Sequence, residues 1–332
     1  MLDLYGIGNA IVDTDVEVDD GFLSEAGVAK GHMTLVDSAQ MADLADKLKH
    51  LPMNRASGGS AANTIFAAQA FGLTTAYTCR LADDENGKHF DAEMRTAGIQ
   101  ISALSEAAAD GRRSGQCLVL VTPDGQRTMC TDLGVSSDLE PSQINSTLLE
   151  TAKVLYVEGY LASSERSVAT AVNGCQVARG ADKQIALTLS DVSMVSFFRD
   201  GLTAILGNGI DTLFCNAEEA LAWANTDRLD VAISELSDIA KEVYVTLGAQ
   251  GARVVSRSGI ADVAGDPRTP IDTNGAGDMF SGACLAARLR GALPEDSARF
   301  ANHAAGQVIM QFGARLPSLE DYLTLKDRYL SS

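Results

Sequence analysis

The residue of this chain best suited to acid–base chemistry is an aspartate set among glycines. Residues 270–282 read PIDTNGAGDMFSG, so Asp278 follows Gly275, Ala276 and Gly277. Glycines allow successive backbone N–H groups to converge at the positive end of a helix, which suits the oxygens of a phosphate. A carboxylate repels a phosphate, but it can take the proton from an alcohol that attacks phosphorus. The stretch therefore predicts a phosphoryl-transfer site; the alternative is an ordinary aspartate at a helix start.

A second glycine turn precedes another predicted helix. Residues 56–72 read ASGGSAANTIFAAQAFG, in which Gly58 and Gly59 come just before an alanine-rich helix and Asn63 stands one turn into it. GGSAA is close to the GxSxG elbow of hydrolases, but Ala62 replaces the last glycine and no convincing histidine partner is present. The turn favours binding of a polyol or phosphate, and the alternative is a helix packed on a strand through small residues.

The first strand, expected over residues 4–12, leads into polar residues. We expect Asn9 and Asp13 at its carboxyl edge, facing a crevice where they could hold the hydroxyl groups of a sugar. A polar strand end is the simpler alternative. The sequence GIGNAI is a near miss for the dinucleotide motif GxGxxG, because Ile11 stands where the last glycine is needed, so no Rossmann site is expected.

The elements that must position these residues follow from the rest of the pattern. Strands and helices alternate, which predicts an α/β fold with a mainly parallel central sheet flanked by helices. A hairpin over residues 116–131 carries Arg127, and short strands follow Asp13. Together they predict a small β-sheet lid, built from about residues 13–36 and 112–132 and inserted in one domain that spans residues 1–332.

Composition excludes several classes of function. Lys and Arg number 26 against 44 Asp and Glu, the formal net charge is -18, and no basic run of five residues occurs, so nucleic acid and anionic membrane are poor partners. The six cysteines form no CxxC pair and lie mostly in apolar runs, which predicts buried free thiols in a reducing compartment. With no targeting or membrane-spanning pattern, a cytoplasmic protein is expected.

Four motifs together resemble one family: DTNGAGD, GGSAAN, NAEE and TLGAQG. Their order and separations are similar to those of the ribokinase-like carbohydrate and nucleoside kinases, also called the phosphofructokinase B family, over essentially the whole chain. Within it, GNAIVD, GGSAANT, the lid residue Arg127 and Asn274 resemble the adenosine-kinase branch more than the ribokinases. The resemblance implies a ribokinase-like fold and an ATP-dependent phosphotransferase that acts on a primary hydroxyl.

The resemblance also implies roles for the matching residues at the acceptor. Asp278 would be the base, and the backbone of Gly275, Ala276 and Gly277 would stabilise the transferring phosphoryl group. Arg127 would swing over the phosphates when the lid closes, unless it is an exposed strand arginine. The residues expected to grip the hydroxylated ring are Asn9, Asp13, Gly58, Gly59 and Asn63. Tyr160 and Leu161 are the candidates to contact a purine.

The same resemblance implies sites for ATP and for cations. Glu219, with Asn216, would order Mg²⁺ through water, and K⁺ or another monovalent cation would bind near Asp272, the carbonyl of Asn274 and Gly313. The residues expected to line the ATP site are Asn216, Glu219, Thr246, Gly248, Gly251 and Asn302.

Three acceptor hypotheses remain open at this level. The leading one is a nucleoside, with adenosine converted to AMP, and the second is a free sugar of the ribose or fructose type. The third is a catalytically silent relative that binds a nucleoside or sugar, and the intact aspartate and glycine turns argue against it. The protein is expected to bind small molecules as a monomer or homodimer.

Overall fold

A computed structural model describes residues 1–31, 33–105, 111–124 and 126–330; Gly125, in the predicted hairpin turn, lies outside them. The strands of the described residues are β1 (Leu2–Ile7), β2 (Ile11–Glu17), β3 (Met33–Leu35), β4 (Asn54–Gly58), β5 (Thr75–Leu81), β6 (Gln100–Ser105), β7 (Gly115–Val121), β8 (Arg127–Asp132), β9 (Ala152–Glu158), β10 (Gln184–Thr188), β11 (Ile210–Asn216), β12 (Ala240–Thr246), β13 (Gly251–Ser256) and β14 (Gly259–Ala264). The helices are α1 (Asp20–Ala26), α2 (Ser38–Leu48), α3 (Ser60–Ala70), α4 (Glu85–Thr96), α5 (Ser146–Leu149), α6 (Glu165–Gly180), α7 (Val192–Phe197), α8 (Arg199–Leu206), α9 (Ala217–Ala224), α10 (Leu229–Ile239), α11 (Ala276–Arg288), α12 (Pro294–Val308) and α13 (Leu319–Leu330).

The large sheet has the strand order β14-β13-β12-β11-β10-β9-β1-β5-β6 in the described part of the chain. It is parallel from β12 to β6, and β13 and β14 form an antiparallel edge. After β1 the chain builds outward through β5 and β6, then crosses back to β9 on the other side of β1. The order therefore reverses between β1 and β9, and such a switch point opens a crevice at the carboxyl ends of the strands.

Helices cover both faces of this sheet, so its strands are apolar almost throughout. On one face, α11 packs between α3 and α12, and Phe71, Phe300 and Tyr322 form edge-to-face ring contacts in the core. Close packing of α11 on α3 requires Gly282, because a Cβ there would lie 2.6 Å from the carbonyl oxygen of Thr64. The other face is covered by α6, α8, α9 and α10 around a second apolar core. The predicted mainly parallel α/β fold is confirmed.

A small second sheet has the order β3-β8-β7-β2-β4, and α1 and α2 pack on one of its faces. The predicted hairpin of β7 and β8 is present. The prediction of one strand over residues 4–12 is wrong, because the chain leaves the large sheet after β1 and enters the small sheet as β2. The sequence interpretation also missed β4, which pairs with β2 and extends the small sheet beyond the predicted lid boundaries.

Two sequence-level expectations about the chain can be compared with this structure. All six cysteines are free and buried, as predicted. Among the described residues, no helix combines the length and apolar character needed to cross a bilayer.

Candidate active site

A cavity of about 550 Å³ lies between the carboxyl ends of the large sheet and the small sheet. It begins at the switch point, where the backbone N–H of Asn9, just after β1, donates to Glu158 at the end of β9 at 2.6 Å. Predicted site residues that line it are Asn9, Asp13, Gly59, Asn63, Asn216, Glu219, Thr246, Gly248, Gly275, Ala276, Gly277 and Asp278. The fold thus brings together residues that are up to 269 positions apart in the sequence.

Gly275 and Gly277, at the start of α11, have different structural roles. Gly275 has φ 73°, and a Cβ there would lie 2.3 Å from the Cβ of Ala314, so the residue is required by the fold. Gly277 lies within α11 without a positive φ, and a Cβ there would meet no protein atom within 4 Å. Gly277 therefore has an ordinary helical backbone, and its open side faces the cavity.

Asp278 lies in the first turn of α11, at the base of the cavity. Its Oδ1 accepts a hydrogen bond from the Ser60 hydroxyl at 2.7 Å, and its Oδ2 accepts one from the amide of Asn63 at 3.2 Å. Burial raises the pKa of Asp278 to about 6, and these two hydrogen bonds act in the opposite direction. Ser60 escaped the sequence analysis, although its place directly after Gly59 at the start of α3 was a usable signal.

Asp13 faces the same cavity from the small sheet. It lies inside β2 and not at the carboxyl edge of the first strand, which corrects the sequence interpretation. Gly58 makes room for it, since a Cβ at Gly58 would fall 2.3 Å from Asp13 Oδ2. Burial, followed by repulsion from Asp15, raises the pKa of Asp13 to about 7. Gly59, with φ 98°, turns the chain into α3 close to the carbonyl of Asn9.

Glu158 is a carboxylate that the sequence analysis did not select. It is fully buried and accepts hydrogen bonds from the backbone of Asn9 at 2.6 Å and of Ala61 at 2.7 Å. Burial raises its pKa to about 7. Glu158 thereby connects the segment after β1 with the start of α3, on one side of the cavity. An acidic residue at the end of the apolar run VLYV was the available signal.

A second cavity of about 290 Å³ adjoins the first at the glycine turn of α11. Both cavities are lined by Thr246, Gly248, Ala276 and Gly277, while the predicted ATP residues Gly251 and Asn302 line only the second. The amide of Asn302 donates to the carbonyls of Val263 and Ala264, so it holds β14 against α12. Gly251 is needed by the fold, because its φ is 103° and a Cβ would lie 2.1 Å from the Val263 carbonyl oxygen.

The residues predicted to order Mg²⁺ lie at the end of β11. Asn216 and Glu219 form a capping box on α9, with the Asn216 amide donating to Glu219 Oε1 at 2.7 Å. Glu219 is 5% exposed and lines the larger cavity together with Asp191. Burial, with Asp191 contributing, raises its pKa to about 7. Carboxylate and amide oxygens are the donor types that Mg²⁺ prefers. Among the described residues, however, no group of three or more Asp, Glu, His or Cys side chains is placed to hold a metal ion, so Mg²⁺ binding here stays a prediction.

The residues predicted to hold a monovalent cation do lie together, around Asp272. Asp272 accepts hydrogen bonds from the backbone of Asn274 at 3.0 Å and of Gly313 at 2.8 Å. Nη1 of Arg127 lies 3.0 Å from Asp272 Oδ2, and Nη2 of the same guanidinium lies 3.3 Å from Asp15 Oδ1. The charge of Asp272 is therefore matched by Arg127. Binding of a monovalent cation at these residues stays a prediction.

Arg127 is accordingly neither an exposed strand arginine nor free above the cavity. Its side chain is 10% exposed, and the guanidinium lies 5.7 Å from the ring centroid of Phe312. The pairing with Asp272 joins β8 of the small sheet to the loop that precedes α11, and the contact with Phe312 joins it to the segment between α12 and α13. Its predicted movement over the phosphates remains a prediction.

Apart from Asp13 and Thr131, the side chains that the small sheet contributes to the wall of the cavity are mostly apolar. Tyr160 lines the cavity, whereas Leu161 is fully buried in the core on the other face of the sheet and cannot contact a ligand. Further apolar side chains that line the cavity are Ile11, Met33, Leu35 and Met129 on strands of the small sheet, Leu133 directly after β8, and Met194 on α7. The small sheet therefore offers aliphatic and methionine side chains to a ligand, while the aromatic residues Tyr160, Phe214 and Phe280 line the cavity from outside the small sheet.

Comparison with known proteins agrees with this geometry. The model of the pfkB family carbohydrate kinases matches residues 36–321. The chain belongs to the pfkB family. It is therefore an ATP-dependent kinase that acts on a hydroxyl group of a nucleoside or sugar.

Individual relatives of this pfkB-family kinase include both nucleoside and sugar kinases. The adenosine kinase of Saccharomyces cerevisiae is 28% identical, over 95% of this chain and 97% of that protein. The crystal structure of adenosine kinase from Sinorhizobium meliloti has a TM-score of 0.87 and 32% identity, covering 97% of this chain and 98% of its own. That of a probable sugar kinase from Rhizobium etli has a TM-score of 0.88 and 30% identity, with the same coverage.

The two glycines of the turn give a matched pair of variants. We expect Gly277→Val to fold with a melting temperature near that of the wild type but to lose most kinase activity, because its side chain would occupy the space beside the turn. Gly275→Val should instead destabilise the fold, since it combines a positive φ with a collision at Ala314. Thermal unfolding and a coupled ADP-release assay on both variants check this, and full activity in Gly277→Val would contradict it.

Proposed function

We propose that this kinase transfers the γ-phosphoryl group of ATP to the primary hydroxyl of a nucleoside, with adenosine, converted to AMP, as the preferred acceptor. The observation that carries the proposal is that polar groups suited to a ribose and an apolar wall suited to a base share one cavity with Asp278. The adenosine kinases of Saccharomyces cerevisiae and Sinorhizobium meliloti, to which the chain is similar, support the same acceptor.

The ribose would bind to the polar side of the cavity. Asp13 can accept hydrogen bonds from both the 2′ and 3′ hydroxyls, and the backbone at Gly59 and the amide of Asn63 lie beside it on the same wall. Asp278 contributes to the raised pKa of both Asp13 and Glu158, and hydroxyl donors stabilise the ionised forms of such carboxylates. A polyol is thus the kind of ligand this side of the cavity favours.

The base would bind against the apolar wall of the small sheet. Met33 and Leu35 on β3 and Met129 on β8 face the cavity, and Tyr160 lies across from the small sheet. A purine there would gain roughly 25 cal/mol per Å² of apolar surface removed from water. Free ribose or fructose cannot use this wall, so its alcohol would be held less firmly for attack. Flexible methionines fit the edges of a flat ring without demanding one exact shape.

The chemistry assigns a separate task to each group at the turn. Asp278 accepts the proton of the attacking hydroxyl while that oxygen forms a bond to the γ-phosphorus and the bond from phosphorus to ADP breaks. Backbone N–H groups from Gly275 to Asp278, at the start of α11, would stabilise the charge on the transferring group. Only the ionised form of Asp278 can act as the base, so the rate should fall as the pH drops through about 6.

Two features around the transfer site complete the proposal. Glu219 and Asn216 would hold Mg²⁺, which when bound with ATP neutralises part of the phosphate charge. The small sheet acts as a lid that excludes water from the cavity, so that ATP is transferred to the acceptor and not hydrolysed. The contact of Arg127 with Asp272 joins this lid to the segment that leads into the catalytic turn.

Asp278→Asn tests the base. The amide keeps the shape of the side chain but cannot accept the proton, so kcat should fall by about 10² to 10⁴ while ATP affinity and the melting temperature change little. Asp262→Asn, on an exposed edge strand where Asp262 pairs with Arg253, is the matched control and should keep the wild-type rate. Turnover of Asp278→Asn within a few-fold of the wild type would exclude Asp278 as the base.

Acceptor specificity is tested by initial rates with adenosine, inosine, ribose and fructose at matched ATP and Mg²⁺. We expect the highest kcat/KM with adenosine, phosphorylated at its 5′ hydroxyl. Met129→Ala should raise KM for adenosine but leave any ribose reaction unchanged, because only the base reaches that wall. A clear preference for a free sugar would overturn the nucleoside assignment and leave the kinase chemistry in place.

A further inference from the structure

Arg315 is a buried cation on a loop that carried no sequence motif. It follows Gly313 in the segment between α12 and α13, yet its side chain is only 11% exposed. The guanidinium lies 4.1 Å from the ring centroid of Phe66 on α3. Its Nη1 donates to Glu93 Oε1 at 2.6 Å and its Nε to Asn63 Oδ1 at 3.1 Å. Arg315 is thus fixed by contacts with Phe66, Glu93 and Asn63, and Asn63 lines the cavity. These contacts indicate a role for Arg315 at the site in addition to packing.

The amide of Asn63 lies between Arg315 and Asp278, and this fixes its orientation. An asparagine side chain has one accepting atom, Oδ1, and one donating group, Nδ2. Arginine can only donate and an ionised carboxylate can only accept, so Oδ1 must face Arg315 and Nδ2 must face Asp278. The observed contacts follow this order, with Nδ2 at 3.2 Å from Asp278 Oδ2. A flipped amide would place like partial charges against both neighbours.

We propose that Arg315 is a positioning residue for the phosphoryl transfer: it locks the amide of Asn63 with its donor toward Asp278 and places a positive charge behind that amide. The inference rests on the proposed role of Asp278 as the base. Arg315 acts through Asn63 and is not among the residues that line the two cavities.

Glu93 binds both Arg315 and the backbone just before the glycine turn at Gly58. Its Oε1 holds Arg315, and its Oε2 accepts a hydrogen bond from the backbone of Ser57 at 3.0 Å, directly before the glycine turn at Gly58. His89 lies one helical turn away, with Nε2 3.4 Å from Glu93 Oε2. One carboxylate on α4 therefore ties together the strand that enters the turn and the arginine that orients Asn63.

The charges around Asp278 give this arrangement a measurable signature. The nearby cation of Arg315 lowers the pKa of Asp278, in the same direction as the hydrogen bonds from Ser60 and Asn63. Acidic and phenolic groups that face the same region are Asp13, Glu158, Tyr77, Tyr156 and Tyr160. The phenols are neutral in this pH range, because burial raises their pKa values. Since these groups include no other cation and Asp13 and Glu158 carry negative charge when ionised, loss of the Arg315 charge should raise the pKa of Asp278 and move the acidic limb of the rate profile to higher pH.

Arg315→Met and Arg315→Lys separate this role from packing. Both retain an unbranched stem that can pack on Phe66, but only lysine keeps the charge. We measure kcat and KM from pH 5 to 9 with adenosine, or with the best acceptor of the wild type if adenosine is not used. Arg315→Met should lose at least tenfold in kcat at pH 7, with its acidic limb displaced upward by about one pH unit. Arg315→Lys should restore the wild-type limb and part of kcat.

The control is Arg290→Met, which removes an arginine beyond the other end of α11, where it donates to the carbonyls of Ala286 and Phe71. This variant should lower the melting temperature without moving the acidic limb. If Arg315→Met does not fold, Arg315→Gln, which is neutral but polar, carries the test with the same expected displacement.

An unchanged limb and kcat in the folded neutral variant, or equal effects in Arg290→Met and Arg315→Met, would overturn the inference. Asp278→Asn distinguishes this failure from failure of the proposed base. If Asp278→Asn is inactive while the neutral Arg315 variant behaves like the wild type, the proposed role of Arg315 is wrong and the proposed base is supported. If Asp278→Asn stays active, the proposed base itself is wrong.

Discussion

The constraint on which the site depends is the burial of a carboxylate that must remain able to ionise. Asp278 lies at the base of a cavity where loss of water raises its pKa to about 6, and two further acidic groups, Asp13 and Glu158, lie in the same cavity with pKa values near 7. A base with a pKa just below neutral is ionised at physiological pH and still binds a proton well. The surrounding donors keep the pKa from rising further.

Those donors come from parts of the chain that only the fold brings together. Ser60 and Asn63 belong to α3, Asp278 begins α11, and the cation behind Asn63 comes from the loop before α13. The reversal of strand order between β1 and β9 leaves room for the cavity, and Glu158 fastens its two sides there. The small sheet then covers this polar floor with an apolar wall. Fold and acid–base chemistry therefore depend on the same few contacts.

Local patterns were sufficient to predict the fold class and the glycine turn at which α11 begins. The alternation of apolar strands and helices indicates a parallel sheet, and DTNGAGD marks a helix start with exposed N–H groups. The sequence interpretation failed at the short break between β1 and β2, where the chain passes from the large sheet to the small sheet. Residues 8–10 look like the continuation of β1, but a Cβ at Gly8 would lie 2.7 Å from the Glu158 carboxylate, and the chain turns there into the small sheet. The residues around Gly8 contain no sequence pattern that indicates a contact with Glu158, so the break could not be predicted locally.

The same reason explains which site residues escaped the sequence analysis. Arg315 stands in GARLP, which has no periodicity or motif, and its importance comes from Asn63 and Glu93, more than 200 positions away. Arg127 was selected, but its pairing with Asp272 joins a strand of the small sheet to the catalytic loop and depends on how the two sheets face each other. A motif can therefore predict which residues have a functional role, but it cannot predict which distant residues they contact in the folded protein.

The central claim is that Asp278 is a buried base whose pKa is raised by its surroundings. The most direct measurement is an NMR titration of the protein labelled with ¹³C at the aspartate carboxyl carbons, with the Asp278 signal assigned by its loss in Asp278→Asn. The account predicts a midpoint of about 6 in the substrate-free kinase. A midpoint near the ordinary aspartate value of about 3.9 would contradict it, because a carboxylate so placed would be solvated and not held in the enclosed site described above.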